Sequence, residues 1–464
     1  MTVQDKPART QGPTVSQQIA DWAAQLGPQD VPEAMRAAAA NTMLDTIGLS
    51  IAAWDTDYGQ ALRSSALSSG GCTVMGTSER RDAFEAALIN GTTAHGEDFD
   101  NTFEGCPVHS GAVIVPAVFA AGEAHGLSAA RVALGVAAGM ELMCRLGVVA
   151  QKGVHAQGFH PTSVLGTMGA ALGVSVARVL DAAQTVNALG LAGSMASGII
   201  EYLADGTWTK RMHAGWAAQA GIRAAAMGAA GFLGPVSVFE GTHGLYKAFA
   251  PSVTPDFSIL TEGLGSRWVS ADVAFKPYAC GTMTQPYIDC AVRLAQRGVD
   301  LDAIERITCK VGHGTVHRLW EPLALKQSPP TPYAAKFSGP YTVAAGLVWQ
   351  DAGLAQFTEE ALADPRAAAL ARKVAFIVDP DNEYPANYTG DVALHMKSGE
   401  LIEEHQPQMR GGLRQPMTRD DLVRKCAANL KFGGWQGMDA EEIATMVDAM
   451  FTSEADFSAG AFGR

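Results

Sequence analysis

The chain contains no CxxC pair, although it has seven cysteines: Cys72, Cys106, Cys144, Cys280, Cys290, Cys309 and Cys426. Their odd number and scattered placement exclude a disulfide framework or an iron–sulfur cluster and suit reduced thiols, so a cytoplasmic location is expected. Basic residues are also scarce, at 34 Lys and Arg against 47 Asp and Glu, for a formal net charge of −13. With no cluster of Lys and Arg interleaved with aromatics, the long-range field repels polynucleotides, and nucleic-acid partners are excluded. The opening stretch MTVQDKPARTQGPTV lacks the apolar core of a signal peptide and reads as a disordered lead-in over 1–15. One uncharged run, 182–200, approaches the ~20 residues of a membrane span. Gln184, Thr185, Asn187, Ser194 and Ser197 interrupt it, so it reads as a buried helix pair and no membrane partner is expected. No glycine-rich loop follows a strand, and neither HExxH nor an EF-hand loop occurs, so no cofactor and no metal are expected.

What the chain does have is length, apolar content and small residues. Its 464 residues are 47% hydrophobic and include 50 glycines, enough to fill a sizeable core. Runs such as GTMGAALGVSVA and GIRAAAMGAAG suit closely packed helices. From residue 16 to about 265 the pattern is helical, with segments at 32–53, 84–96, 128–149, 161–178, 181–199 and 212–230 divided by Gly and Pro. The texture changes after SRWVSADVAFKPYACG. ERITCKVGH alternates in the period of a half-buried strand, KVAFIVDPD is a second strand, and DVALHMKSGELIEEH turns at Ser398-Gly399 as a hairpin would. Helices are expected between them at 282–297 and around 340–350, which gives a two-layer α+β unit. Helical periodicity returns at 418–431 and 439–451, in a tail too short to stand alone that is expected to pack back on the helical part.

Four stretches carry chemistry. In HGEDFDNTFEGCPVH, residues 95–109, a helix breaks near Gly96 and leaves Glu97, Asp98, Asp100, Thr102 and His109 in a loop. The apolar flank SGAVIVPAVFAAGEA implies that the loop is held near the interior, where carboxylates and imidazoles are perturbed. A hard cation on Asp98, Asp100, Glu104 and His109 is the alternative. In QKGVHAQGFHPTSVLG, His160 precedes Pro161, which keeps it out of the helical region at the positive end of a helix. In DGTWTKRMHAGW, Lys210 and Arg211 precede a helix mouth with His213 close behind, a carboxylate clamp in the sharper reading and a solvated turn in the blander one. In VAFKPYACGTMTQP, Lys276 stands at the start of the α+β unit, where a cleft ligand could reach it.

Taken in order, NGTTAHGEDFDNT, GFHPTSVLGTMGAA, KRMHAGWAAQAG, GFLGPVSVFEG, FKPYACGTMTQP and KFSGPY resemble the motifs of the MmgE/PrpD family, from about residue 16 to 450. Its members include 2-methylcitrate dehydratase, cis-aconitate decarboxylase and iminodisuccinate epimerase. The resemblance implies a mainly α protein: a large all-helical domain built from both chain ends (16–267 and 406–464), an inserted smaller α+β lid domain (268–405), and a homodimer. It implies active-site roles for Asp98, Thr102, His109, His160, Lys210, Lys276 and a lid tyrosine, Tyr341. One departure is His109-Ser110-Gly111, where the family has His-Pro-Ser, with one residue apparently inserted before it. The implied chemistry is cofactor-independent proton transfer beside a carboxylate of a small di- or tricarboxylate. A histidine base removes or delivers the proton, lysines stabilise the developing charge, Asp98 orients a histidine and Thr102 donates to the substrate. A dehydratase-type lyase is expected first, with epimerase and decarboxylase as alternatives. A non-catalytic carboxylate-binding protein and a metal-dependent hydratase are the rivals from other classes.

Overall fold

The computed structural model describes residues 12–464. The expected lead-in therefore lies outside the described residues up to position 11, and Thr14 already caps the first helix, Val15–Gln25. Contacts divide the chain into two compact units. The larger runs to Gly96, resumes over Asp100–Val273 and ends with Gly433–Arg464; the smaller comprises Glu97–Phe99 and Ala274–Phe432. The sequence places these divisions at 268 and 406. By contacts the helix Arg419–Phe432 groups with the smaller unit, so the polypeptide rejoins the larger one only at Gly433.

The larger unit is helical, and its small residues explain how. Helices Ala129–Ala150 and Pro161–Ala177 cross at paired glycines. A Cβ on Gly135 would lie 2.6 Å from the Gly173 carbonyl oxygen, and one on Gly169 would lie 2.8 Å from that of Gly139. The backbones touch, and only glycine permits it. A second crossing joins Ala83–Gly96 to Thr209–Ala229, where a Cβ on Gly215 would sit 2.0 Å from the Leu88 carbonyl oxygen. Ser110–His125 is also buried along most of its length. Ala129–Ala150 is long and apolar enough to cross a membrane, but 94% of its apolar window is buried inside the protein. The uncharged run at 182–200 is a single helix, Ala182–Met195, and not a helix pair. Its continuation is extended, with Ile199 bridging Phe159.

The smaller unit contains a four-stranded sheet in the order Val374–Val378, Ile304–Val311, Gly390–Met396, Leu401–Gln406. The first pair is parallel and the other two are antiparallel. The turn at Ser398-Gly399 closes the hairpin as the sequence indicates, with Gly399 at φ +88° and its N–H donated to the Met396 carbonyl. Val392, Leu394 and Met396 face inward, as period-two alternation requires. With Ile307, Cys309 and Val311 they join Tyr287, Leu294, Val343 and Trp320 in one core, contributed largely by the helices Gln285–Gln296 and Gly339–Trp349.

Candidate active site

In the larger unit the expected histidines converge, together with one that was not expected. Gly91 and Gly215 set the crossing of Ala83–Gly96 and Thr209–Ala229. His95 lies one turn beyond Gly91 and His213 lies two residues before Gly215, so the close approach that only glycine allows brings both imidazoles into the same region. His160 caps Pro161–Ala177 at φ −82°, ψ 113°, the extended conformation that a following proline enforces. The Gly198 carbonyl accepts its backbone N–H at 2.8 Å. His109 stands just before Ser110–His125, and its N–H is donated to the Thr162 hydroxyl.

Ring centroids are 4.8 Å apart for His95 and His109, 5.7 Å for His95 and His160, and 5.3 Å for His160 and His213. The Nδ1 atoms of His160 and His213 are 3.2 Å apart, so one donates and the other accepts, and the two rings hold opposite roles. Burial, with the neighbouring His95, Lys210, His213 and His109, pushes His160 well below the usual imidazole range. Burial and then His95 lower His213 to about 4. Burial also lowers His95, although Asp100 opposes it. These three rings are neutral at pH 7, the form in which an imidazole accepts a proton.

The carboxylate that serves the histidines is Asp100. Its Oδ2 is 2.8 Å from His95 Nδ1 and 3.4 Å from His109 Nδ1. Burial alone would raise its carboxyl, but His109 and His95 outweigh that and hold it well below the carboxylate range. Asp100 is therefore the carboxylate within reach of these two imidazoles, whereas Asp98, to which the family resemblance gave the orienting role, pairs with Lys276. Glu104 is exposed, so the four-residue cation set does not form. The compact group is His95, Asp100 and His109, with ligand-type atoms within 4.8 Å of one another. Lys210 and Arg211 lie inside the first turn of Thr209–Ala229 and not before it. Arg211 stacks 4.4 Å over the Tyr58 ring. Thr102 is buried two residues beyond Asp100.

The smaller unit holds the other expected groups, and Asp98 is among them. Lys276 Nζ is 3.3 Å from Asp98 Oδ1 and donates to the Asp98 carbonyl at 2.7 Å. Two further lysines treat the flanking residues alike: Lys336 donates to the Glu97 carbonyl at 2.8 Å, and Lys425 to the Phe99 carbonyl at 2.7 Å. Three ammonium groups thus fix three consecutive carbonyls, with Asp98 at φ +54°, a left-handed conformation that Asp tolerates better than most residues. Sequence reasoning missed Lys336 and Lys425. The first was in view within KFSGPY; the second had no local signal. Tyr341 is buried and gives its hydroxyl to the Gln356 carbonyl at 2.6 Å, beside Phe357. Cys280 lies near Lys276 and Lys336, yet burial raises its thiol to about 12, so it is not a nucleophile. A cavity of about 660 Å³ opens within this unit beside Phe99, Tyr278, Asp289 and Arg410, and none of the expected site residues lines it. Its Asp289 is already paired with Arg410 and Tyr278.

Comparisons with known proteins find relatives along nearly the whole chain. The MmgE/PrpD N-terminal domain family matches residues 17–258, and the MmgE/PrpD C-terminal domain family matches residues 278–449. The cis-aconitate decarboxylase-like protein oryM of Aspergillus oryzae is 25% identical over 455 residues, covering 92% of both chains. A cis-aconitate decarboxylase of Aspergillus terreus is 26% identical, covering 89% of this chain and 88% of its own. The Homo sapiens cis-aconitate decarboxylase is 28% identical, covering 76% and 74%. With both domain families matched in order along nearly the whole chain, the protein belongs to the MmgE/PrpD family.

Proposed function

We propose that this protein is a cofactor-independent lyase that moves a proton beside a carboxylate of a small di- or tricarboxylate. The observation that carries this reading is the buried histidine cluster beside Lys210, in which His95, His160 and His213 are neutral at pH 7. A carbon acid beside a carboxylate needs a base and a cation for the charge that develops. The histidines supply the first; Lys210, and Lys276 of the smaller unit, supply the second. In dehydration the base takes the proton, the electron pair forms the double bond, and hydroxide leaves with a proton as water. In decarboxylation the carbon–carbon bond to the carboxylate breaks, carbon dioxide leaves, and the electron pair takes a proton from a histidine. Dehydration is the first reading by its prevalence in the family, since the motifs do not distinguish one reaction from another. The names of the relatives favour decarboxylation as the second reading. Turnover in this reading uses groups from both units, with the smaller acting as a lid, and the protein works as a homodimer in the cytoplasm.

The test is turnover of chelated, dialysed protein on 2-methylcitrate, cis-aconitate and iminodisuccinate in deuterated water, followed by NMR. We expect deuterium at a carbon beside a carboxylate, with His160→Ala slower by about a hundredfold, the usual size of an acid–base contribution. A strict metal requirement, or binding without any exchange or product, would replace this reading with the hydratase or the binding-protein alternative.

A further inference from the structure

His95 and Asp100 have no part in the chemistry derived from the motifs, yet they are among the most enclosed polar groups in the larger unit. His95 is 1% exposed and so is Asp100. Their hydrogen bonds determine where the protons sit. His109 Nδ1 is 2.9 Å from the Asn101 carbonyl oxygen, which can only accept, so this nitrogen carries the proton. His95 Nδ1 is 2.8 Å from the Asp100 carboxylate. That carboxylate is ionised, because the two imidazoles hold it well below the usual range despite its burial. It too can only accept, so His95 is also protonated on Nδ1. In neutral rings the lone pair is then on Nε2 in both. His95 Nε2 is buried with no hydrogen-bond partner among the described residues, and so is Asp100 Oδ1.

We propose that Asp100 is a positioning residue that locks His95 and His109 in their Nδ1-protonated forms and so presents two Nε2 lone pairs as proton acceptors. When His109 takes a proton from substrate carbon, the proton goes to Nε2, and the imidazolium keeps its Nδ1 proton facing the Asn101 carbonyl and Asp100. No proton passes to the carboxylate. The consequence for turnover rests on the lyase reading, whereas the tautomers themselves do not. His160, His213 and Lys210 are the other charged or titratable groups near this dyad, and the lowered affinity of His95 for a second proton reflects burial first.

The experiment uses the full-length protein with ¹⁵N-labelled histidine and long-range ¹H–¹⁵N correlation, with His95→Gln and His109→Gln to assign the two rings. Wild type is expected to show both rings protonated on Nδ1. In folded Asp100→Asn at least one ring should change tautomer. With an active substrate, kcat of that variant should fall by roughly a hundredfold with little change in KM, the signature of a misplaced proton on the base. Either ring protonated on Nε2 in wild type, or Asp100→Asn with both tautomers and kcat unchanged, would overturn the proposal. Because the wild-type spectrum decides the tautomers without turnover, a wrong substrate class and a wrong role for Asp100 give different results.

Discussion

At the scale of single residues, burial and neighbours act on like groups in opposite directions. His213 protonates near 4 in the folded protein and near 6.5 when unfolded. Between those values the unfolded chain binds more protons, so stability should be complete above about 6.5 and should decline as pH falls toward 4. His95 and His160 shift in the same direction, so they add to the decline. Asp100 acts in the same direction but in a lower window. Its folded carboxyl is held well below 3.8, so the stability it contributes is lost only as pH drops past that value, beneath the histidine window. Urea unfolding at pH 7, 5.5 and 4.5 should show midpoints decreasing across the three, with His213→Gln less steep than wild type. A flat profile over this range would mean that the imidazoles are not desolvated as the geometry implies.

At the scale of elements, the helices are placed by glycine. Gly215 faces the Leu88 carbonyl, and Gly91 faces Gly215 Cα at 2.7 Å from its would-be Cβ. Because backbone cannot yield as a flexible side chain can, Gly215→Ala should force Ala83–Gly96 and Thr209–Ala229 apart and cost about 1–3 kcal/mol, as overpacking does. Gly71→Ala is the matched control, since its Cβ would meet nothing within 4 Å. A melting temperature for Gly215→Ala equal to that of the control would show that the crossing is not tight. His95 and His213 lie on these same helices, so any separation also moves two of the four imidazoles. Activity should fall further than the loss of folded protein alone accounts for.

At the scale of the whole molecule, several exposed apolar side chains lie along one stretch of the larger unit. Leu203, Trp208, Trp216, Phe232 and Leu233 are between 43% and 80% exposed, on or beside Thr209–Ala229. If these side chains form one patch, it is the surface on which the proposed homodimer would pair. Light scattering coupled to size exclusion should therefore give twice the 48.5 kDa of one chain, and Trp216→Glu with Leu233→Glu should halve that mass. A monomeric wild type would remove the homodimer from the proposed function.

The sequence by itself determined most of the helices and strands and many of the chemical groups. Helical periodicity placed Glu33–Ala52, Ala83–Gly96 and Pro161–Ala177 within one residue at either end, because their apolar faces and their Pro and Gly boundaries are local signals. The strands at 304–311 and 390–396 were legible for the same reason, and the motifs named Asp98, His109, His160 and Lys276. Only the tertiary structure decided which acid serves which base. Asp98 and Asp100 are two residues apart and chemically identical, yet one faces Lys276 and the other faces two imidazoles. The intervening backbone passes through a left-handed turn held by three lysines that are distant in sequence. Pairing of that kind depends on distances of about 3 Å between groups up to 326 positions apart. Local periodicity holds no information about contacts at that separation; packing does.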